Sequence, residues 1–146
     1  MNGGKNQADI TDGTAMTFLD TTFLVDFFRG EEAAIVTMKK MENSPLYTSE
    51  INVFELVEGA YIGNRPVGQH LEKIFAVLSL LTVLPFDRKA ALKAGMISGS
   101  LMKEGTKVGE ADCLIAGVAL ANGISAVVTR NKKDFERMKE IKVIAY

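Results

Sequence analysis

Short apolar runs alternate with segments of helical length along this chain, and that alternation limits its possible folds more than any other feature. Five runs read as strands: "TFLD" (17–20), "PLYTS" (45–49), "LTVLPF" (81–86), "SAVVT" (125–129) and "IKVIAY" (141–146). They are short and apolar throughout, as strands buried on both faces of a parallel sheet must be. The segments between them carry helix signals. One helix follows Asp20, runs through Phe28 and closes at Gly30, and a second covers 31–42 with Ile35, Met38 and Val36 on its apolar side. Ser49 can cap a helix from Glu50 to about Gly63, and another spans 67–81. Asp87 can cap a long helix over 88–104, with Gly105 placed as its C′ residue. Further helices fall at 110–123 and 132–138. The pattern predicts an α/β domain in three layers, with a mainly parallel central sheet flanked by helices. A chain of 146 residues without repeat or linker suits one domain, here 17–146. Residues 1–16 are polar, Gly-rich and aperiodic, and read as a tail.

Composition narrows the setting. Apolar residues make up 47%, enough for a substantial core, yet no apolar stretch approaches the length of a membrane span. No basic segment followed by an apolar one opens the chain, so no signal peptide is expected. The lone Cys113 has no partner for an internal disulfide and fits a reducing cytoplasm. The net charge of −1 does not suggest nucleic-acid binding, nor does it exclude it. Basic residues are concentrated in the C-terminal third.

Several acids sit where structure alone does not ask for them. Asp20 ends the first strand, and in open α/β sheets ligands gather beyond the carboxyl ends of strands. It can also serve simply as a helix N-cap, as can Thr21. Glu55 lies on a helix that is apolar nearly all round. Ile51, Phe54, Glu58, Tyr61 and Ile62 share its side, and Val53, Leu56, Val57 and Ala60 form the other. That helix is expected to be buried on several sides, so Glu55 should be neutral, salt-bridged or metal-bound. Asp112 opens a helix whose face continues through the small Ala116 and Ala119, and it is either a dipole partner or a site residue. Glu110 points the other way and is secondary. Thr129 and Asn131 stand at the exit of the fourth strand with Asp134 three residues on, in a loop that can equally be an Asx-type turn.

Taken together, "FLDTTFLVDFFRG", "TSEINVFELVEGA", "GEADCLIAGVALANG" and "VVTRNKKDFERM" resemble a PIN domain and, more narrowly, the VapC toxins of bacterial and archaeal toxin–antitoxin pairs. The resemblance spans about Met16 to Tyr146. It implies three family acids at Asp20, Glu55 and Asp112. The family's fourth acid would fall at Asn131 here, which leaves the fourth ligand between Asn131 and Asp134. The resemblance further implies a homodimeric Mg²⁺- or Mn²⁺-dependent ribonuclease held inactive by a VapB-like antitoxin.

The chemistry agrees. Clustered carboxylates need a cation to stay ionised together. His70 is the only histidine, and no Cys/His spacing suggests zinc. An all-oxygen site suits Mg²⁺ or Mn²⁺. Thr22 can orient Asp20, and Thr129 supports the loop. Arg29, Lys107, Arg130, Lys132 and Lys133 are candidates to hold RNA phosphates. His70 is read as an ordinary helix residue and Cys113 as a small buried hydrophobe. Two other readings compete with a nuclease. An Asp-nucleophile phosphatase would want a second acid where Thr22 stands. A non-catalytic PIN-like module that binds RNA or protein would have no need of three crowded acids. The apolar surface of the 31–42, 50–63 and 67–81 helices predicts a homodimer through part of that layer. An antitoxin is expected on the remainder, with an Arg or Lys inserted among the acids.

Overall fold

The computed structural model describes residues 15–146; all but the last two residues of the expected tail lie outside them. Five strands form one parallel sheet in the order β3-β2-β1-β4-β5. They are β1 (Thr17–Leu19), β2 (Leu46–Ser49), β3 (Thr82–Leu84), β4 (Ala126–Val128) and β5 (Lys142–Ile144). Seven helices connect them: α1 (Thr21–Phe28), α2 (Glu32–Lys40), α3 (Glu50–Ile62), α4 (Val67–Leu78), α5 (Arg88–Lys103), α6 (Glu110–Ala121) and α7 (Lys132–Glu136). The three-layer α/β expectation therefore holds. No helix among the described residues is long and apolar enough to cross a membrane.

The pleat of β1 divides the core. Phe18 faces one way into a cluster with Ile115, Val118 and Phe135, from the α5–α7 side. Leu19 faces the other way into a cluster with Phe23, Leu24, Leu56 and Ile74, from the α1–α4 side. The signals read as caps do cap. Ser49 and Asn52 form a reciprocal capping box at α3. The Asp87 carboxylate accepts from the Ala90 amide at 3.1 Å. Gly105 follows α5 at φ +74°, where a side chain would be strained. The α5 and α6 backbones approach closely. A Cβ on Gly117 would lie 2.5 Å from the Ala94 Cβ, so only glycine fits there.

The N-terminal layer differs from expectation in two places. Helix α3 is not buried on several sides. Asn52, Leu56 and Ala60 face the core, while Phe54, Tyr61 and Ile62 are 63%, 66% and 75% exposed. Helix α2 is turned so that Ala34 and Thr37 are buried and Ile35 and Val36 are exposed. In α2 Met38 does pack against the core as expected, and in α3 Leu56 and Ala60 turn inward while the larger Phe54 and Tyr61 face outward. Cys113 is buried and unpaired, as expected.

Candidate active site

The chain builds the sheet outward from β1 to β3, then returns to place β4 on the other side of β1. That reversal opens a crevice at the carboxyl ends of β1 and β4, the position where α/β sheets take ligands. Asp20 and Thr129 are the first residues past those two strands. The Asp20 amide donates to the Val128 carbonyl at 3.0 Å, which keeps the crevice narrow at its base.

Asp20 is only 2% exposed, and its carboxylate is held from both sides. Oδ2 accepts from the Thr129 hydroxyl at 2.7 Å and from the Thr22 hydroxyl at 3.0 Å. Those hydroxyls are themselves oriented. The Asn131 amide donates to Thr129 Oγ1 at 2.9 Å and the Arg130 amide to Thr22 Oγ1 at 3.0 Å. With an oxygen lone pair of each engaged, the hydroxyl protons turn onto the carboxylate. Oδ1 accepts from Asn52 Nδ2 at 3.4 Å. Asp20 occupies the N-cap position of α1 without a capping hydrogen bond from its side chain. Burial raises its pKa above the ordinary 3.8, and the Thr129 and Thr22 hydroxyls, with the backbone amides of Thr21 and Thr22, partly offset the rise.

Glu55 reaches the crevice through a relay that the sequence reading missed. Asn52, fully buried, accepts from the Ser49 amide and hydroxyl through Oδ1, at 3.2 and 2.6 Å. Its Nδ2 donates to Thr21 Oγ1 at 2.9 Å, and the Thr21 hydroxyl donates to Glu55 Oε1 at 2.6 Å. The available signal was an amide three residues before Glu55, hence on the same side of an otherwise apolar helix. Burial raises the Glu55 pKa; Thr21 offsets part of the rise, and the charges of Asp20 and Glu58 add to it.

Asp112 lies in the first turn of α6 and Asp134 in α7, facing each other across Gly109. A Cβ on Gly109 would stand 3.6 Å from an oxygen of each carboxylate. Asn131 Nδ2 donates to Asp112 Oδ2 at 2.6 Å and to Asp134 Oδ2 at 3.4 Å. The structure thus brings Asn131 and Asp134 together against Asp112. The pKa of Asp112 is raised to about 7 by burial first, then by the charge of Asp20 and by its hydrogen bond with Asp134.

The basic candidates divide. Arg130 gives its guanidinium to the buried Asp26 at 2.9 Å, and Asp26 also accepts from the Tyr146 hydroxyl. That ties the loop after β4 to α1. Arg29 stands at the rim of a groove beside Glu55, and Lys132 and Lys133 are exposed at the start of α7. Lys107 is exposed, and its carbonyl accepts from Arg137 at 2.9 Å. His70 is a half-buried residue of α4 on the wall of the same groove.

The donor set suits a hard divalent cation. It is built of carboxylates and one amide, and no salt bridge among the described residues reaches Asp20, Glu55 or Asp112. Burial raises the pKa of all three, and the charge of Asp20 adds to the rise at Glu55 and Asp112, which a cation would relieve. Among the described residues no three acidic, imidazole or thiol groups already converge closely enough to close on one ion. The hydrogen bonds account for this: Glu55 is turned onto Thr21, and Asp112 onto Asn131.

Residues 17–141 match the model of the PIN domain family. A "tRNA(fMet)-specific endonuclease VapC" of Salmonella typhimurium is 33% identical over 125 residues, 86% of this chain and 93% of that protein. "Ribonuclease VapC2" of Haemophilus influenzae is 31% identical over 82% of this chain and 89% of its own length. Among solved structures, DNA-bound VapBC from Salmonella typhimurium superposes with a TM-score of 0.79 at 30% identity, covering 90% of this chain and 98% of that one. VapBC2 from Rickettsia felis, bound to a promoter DNA fragment, superposes with a TM-score of 0.81 over the same shares at 24% identity, a likeness of fold. By the extent of the family match and the identity to these relatives, the chain belongs to the PIN domain family.

Proposed function

We propose that the chain is a metal-dependent endoribonuclease that hydrolyses RNA phosphodiester bonds and acts as the toxin of a VapBC-type toxin–antitoxin pair. The observation that carries this reading is the crevice itself. Asp20, Glu55 and Asp112 are drawn to the ends of β1 and β4 with no protein cation beside them, in a chain whose relatives are named ribonucleases. Asp20, Glu55 and Asp112 would hold Mg²⁺ or Mn²⁺, with Asp134 and the amide oxygen of Asn131 as further donors. Such an ion supplies charge stabilisation at the phosphodiester and lowers the pKa of water. The chain's own contribution is positioning. Thr22, Thr129 and Asn52 fix the Asp20 carboxylate, Thr21 aims Glu55, and Asn131 keeps Asp112 and Asp134 paired until a ligand displaces its amide.

The test is cleavage of tRNA(fMet) and of total RNA with and without EDTA. Cleavage should stop with EDTA and return with Mg²⁺ or Mn²⁺. Cleavage indifferent to EDTA, or none under any divalent ion, would overturn the reading.

The solved relatives named VapBC support a VapB-like partner. An Arg or Lys of that partner among the acids would replace the metal's charge with protein charge. The exposed Phe54, Tyr61 and Ile62 of α3, with Phe75 of α4, support pairing of two copies through the N-terminal layer. Light scattering at tens of micromolar should then give a dimer mass; a monomer rejects the pairing. A reducing cytoplasm is the setting that this function and the unpaired Cys113 imply.

A further inference from the structure

The groove between α1, α3 and α4 opens onto Glu55 and has a volume of about 370 Å³. Its floor is apolar, made by the buried Leu56, Ala60 and Ile74. Its rim carries Arg29, Arg65 and Lys73, all exposed. Glu55 is the one acid among the described residues that line the groove. The salt bridges among the described residues are made elsewhere, by Lys93, Arg130 and Lys139. Arg29, Arg65 and Lys73 thus make no salt bridge among the described residues, and cations grouped on one rim attract a ligand with spaced negative charges. Phe28 and His70 line the same groove. Beyond the acids, on the Asp134 side, Lys132 and Lys133 lie exposed.

We propose that this groove is a subsite for single-stranded RNA next to the scissile bond. Arg29, Arg65 and Lys73 take phosphates of the flanking nucleotides, and a base lies on the apolar floor against Phe28 and His70. The strand then crosses Glu55 and Asp20 and leaves over Lys132 and Lys133. The inference rests on the ribonuclease reading and adds where the substrate lies. An apolar floor under a cationic rim matches a nucleotide, which joins a flat ring to a charged backbone. An acidic segment of a protein partner is the competing occupant.

The experiment is fluorescence anisotropy of a short labelled single-stranded RNA, with Ca²⁺ in place of Mg²⁺, on the full chain and on the Arg65→Gln/Lys73→Gln variant. Both positions are exposed, so the fold should survive, which the melting temperature checks. The variant should bind about tenfold more weakly, and its slope of log affinity against log salt should fall by roughly 0.7 for each phosphate that is no longer neutralised. Mn²⁺ affinity, read by water-proton relaxation, should not change, because the acids are untouched. Unchanged RNA affinity and salt slope in the variant would overturn the subsite. So would normal RNA binding combined with escape from inhibition by a VapB-like partner, which would make the groove a protein dock. Full-length protein that binds no RNA at all would instead overturn the ribonuclease reading beneath it.

Discussion

Asp20 and Asp112 are the same residue type in one crevice, yet they are held in opposite ways. Asp20 is buried, with two hydroxyls on one oxygen and an amide on the other, and each hydroxyl is fixed by a backbone N–H. Asp112 is half-buried and has for company an amide and a second carboxylate, Asp134. The first arrangement places an oxygen whatever else is bound. The second works only when something neutralises it, a proton or a cation. The crevice therefore joins a rigid inner half to an outer half that can change state.

The most severe way to break this contrast is Asp20→Asn, which keeps shape and removes charge. Cleavage should fall about a thousandfold, the scale of several kcal/mol of lost charge stabilisation. The circular dichroism spectrum should stay as it was. Asp134→Asn, in the outer half, should raise the Mg²⁺ needed for half-maximal cleavage by only about tenfold. Equal losses at the two positions would erase the distinction.

Asn131→Asp sharpens the contrast by adding charge to the outer half. It should lower the Mg²⁺ requirement by a smaller factor than Asp134→Asn raises it. If neither substitution moves the Mg²⁺ titration, the loop is only a turn and three acids suffice.

The smallest effect is on stability. The Asp112 carboxyl has its pKa raised from 3.8 to about 7, so the folded state binds its proton more tightly than the unfolded state does. Stability from this group is complete below pH 3.8 and is lost as pH rises towards about 7. Burial moves Asp20 and Glu55 in the same direction. In EDTA the melting temperature should therefore drift down over that window, and Asp112→Asn should flatten the drift. Millimolar Mg²⁺ should stabilise the wild type more than Asp112→Asn, because it binds the native site. Identical metal shifts in both proteins would count against the outer half as a ligand.

Much of this was legible before any coordinates. Strand and helix ends were marked by local chemistry, at Ser49, Asp87 and Gly105, and local chemistry does not wait for the fold. Asp20 and Glu55 stood out because carboxylates in apolar surroundings need a reason. Asn52 did not, since an amide near a helix start is adequately explained by capping. Its second pair of hydrogen bonds, to Asp20 and Thr21, exists only once α3 meets α1. Arg130 looked like a free cation for the same reason: Asp26 is 104 positions away in sequence. The exposed side of α3 was misjudged because apolar residues show that a face will be covered without showing whether the cover belongs to the same chain. The phase of α2 was missed only in part: Met38 packs inward, but Ala34 and Thr37 take the other inward positions in place of Ile35 and Val36.

The bond from Thr129 to Asp20 spans 109 positions, and β4, the strand that puts Thr129 there, follows all three family acids in the chain. Pairings of such separation form late, because a long loop must close first. On a ribosome, the chain through α6 would carry Asp20, Glu55 and Asp112 but lack the hydroxyl, amide and carboxylate that complete the crevice. The three acids would thus stand without those supporting groups until β4 and α7 have followed α6 out.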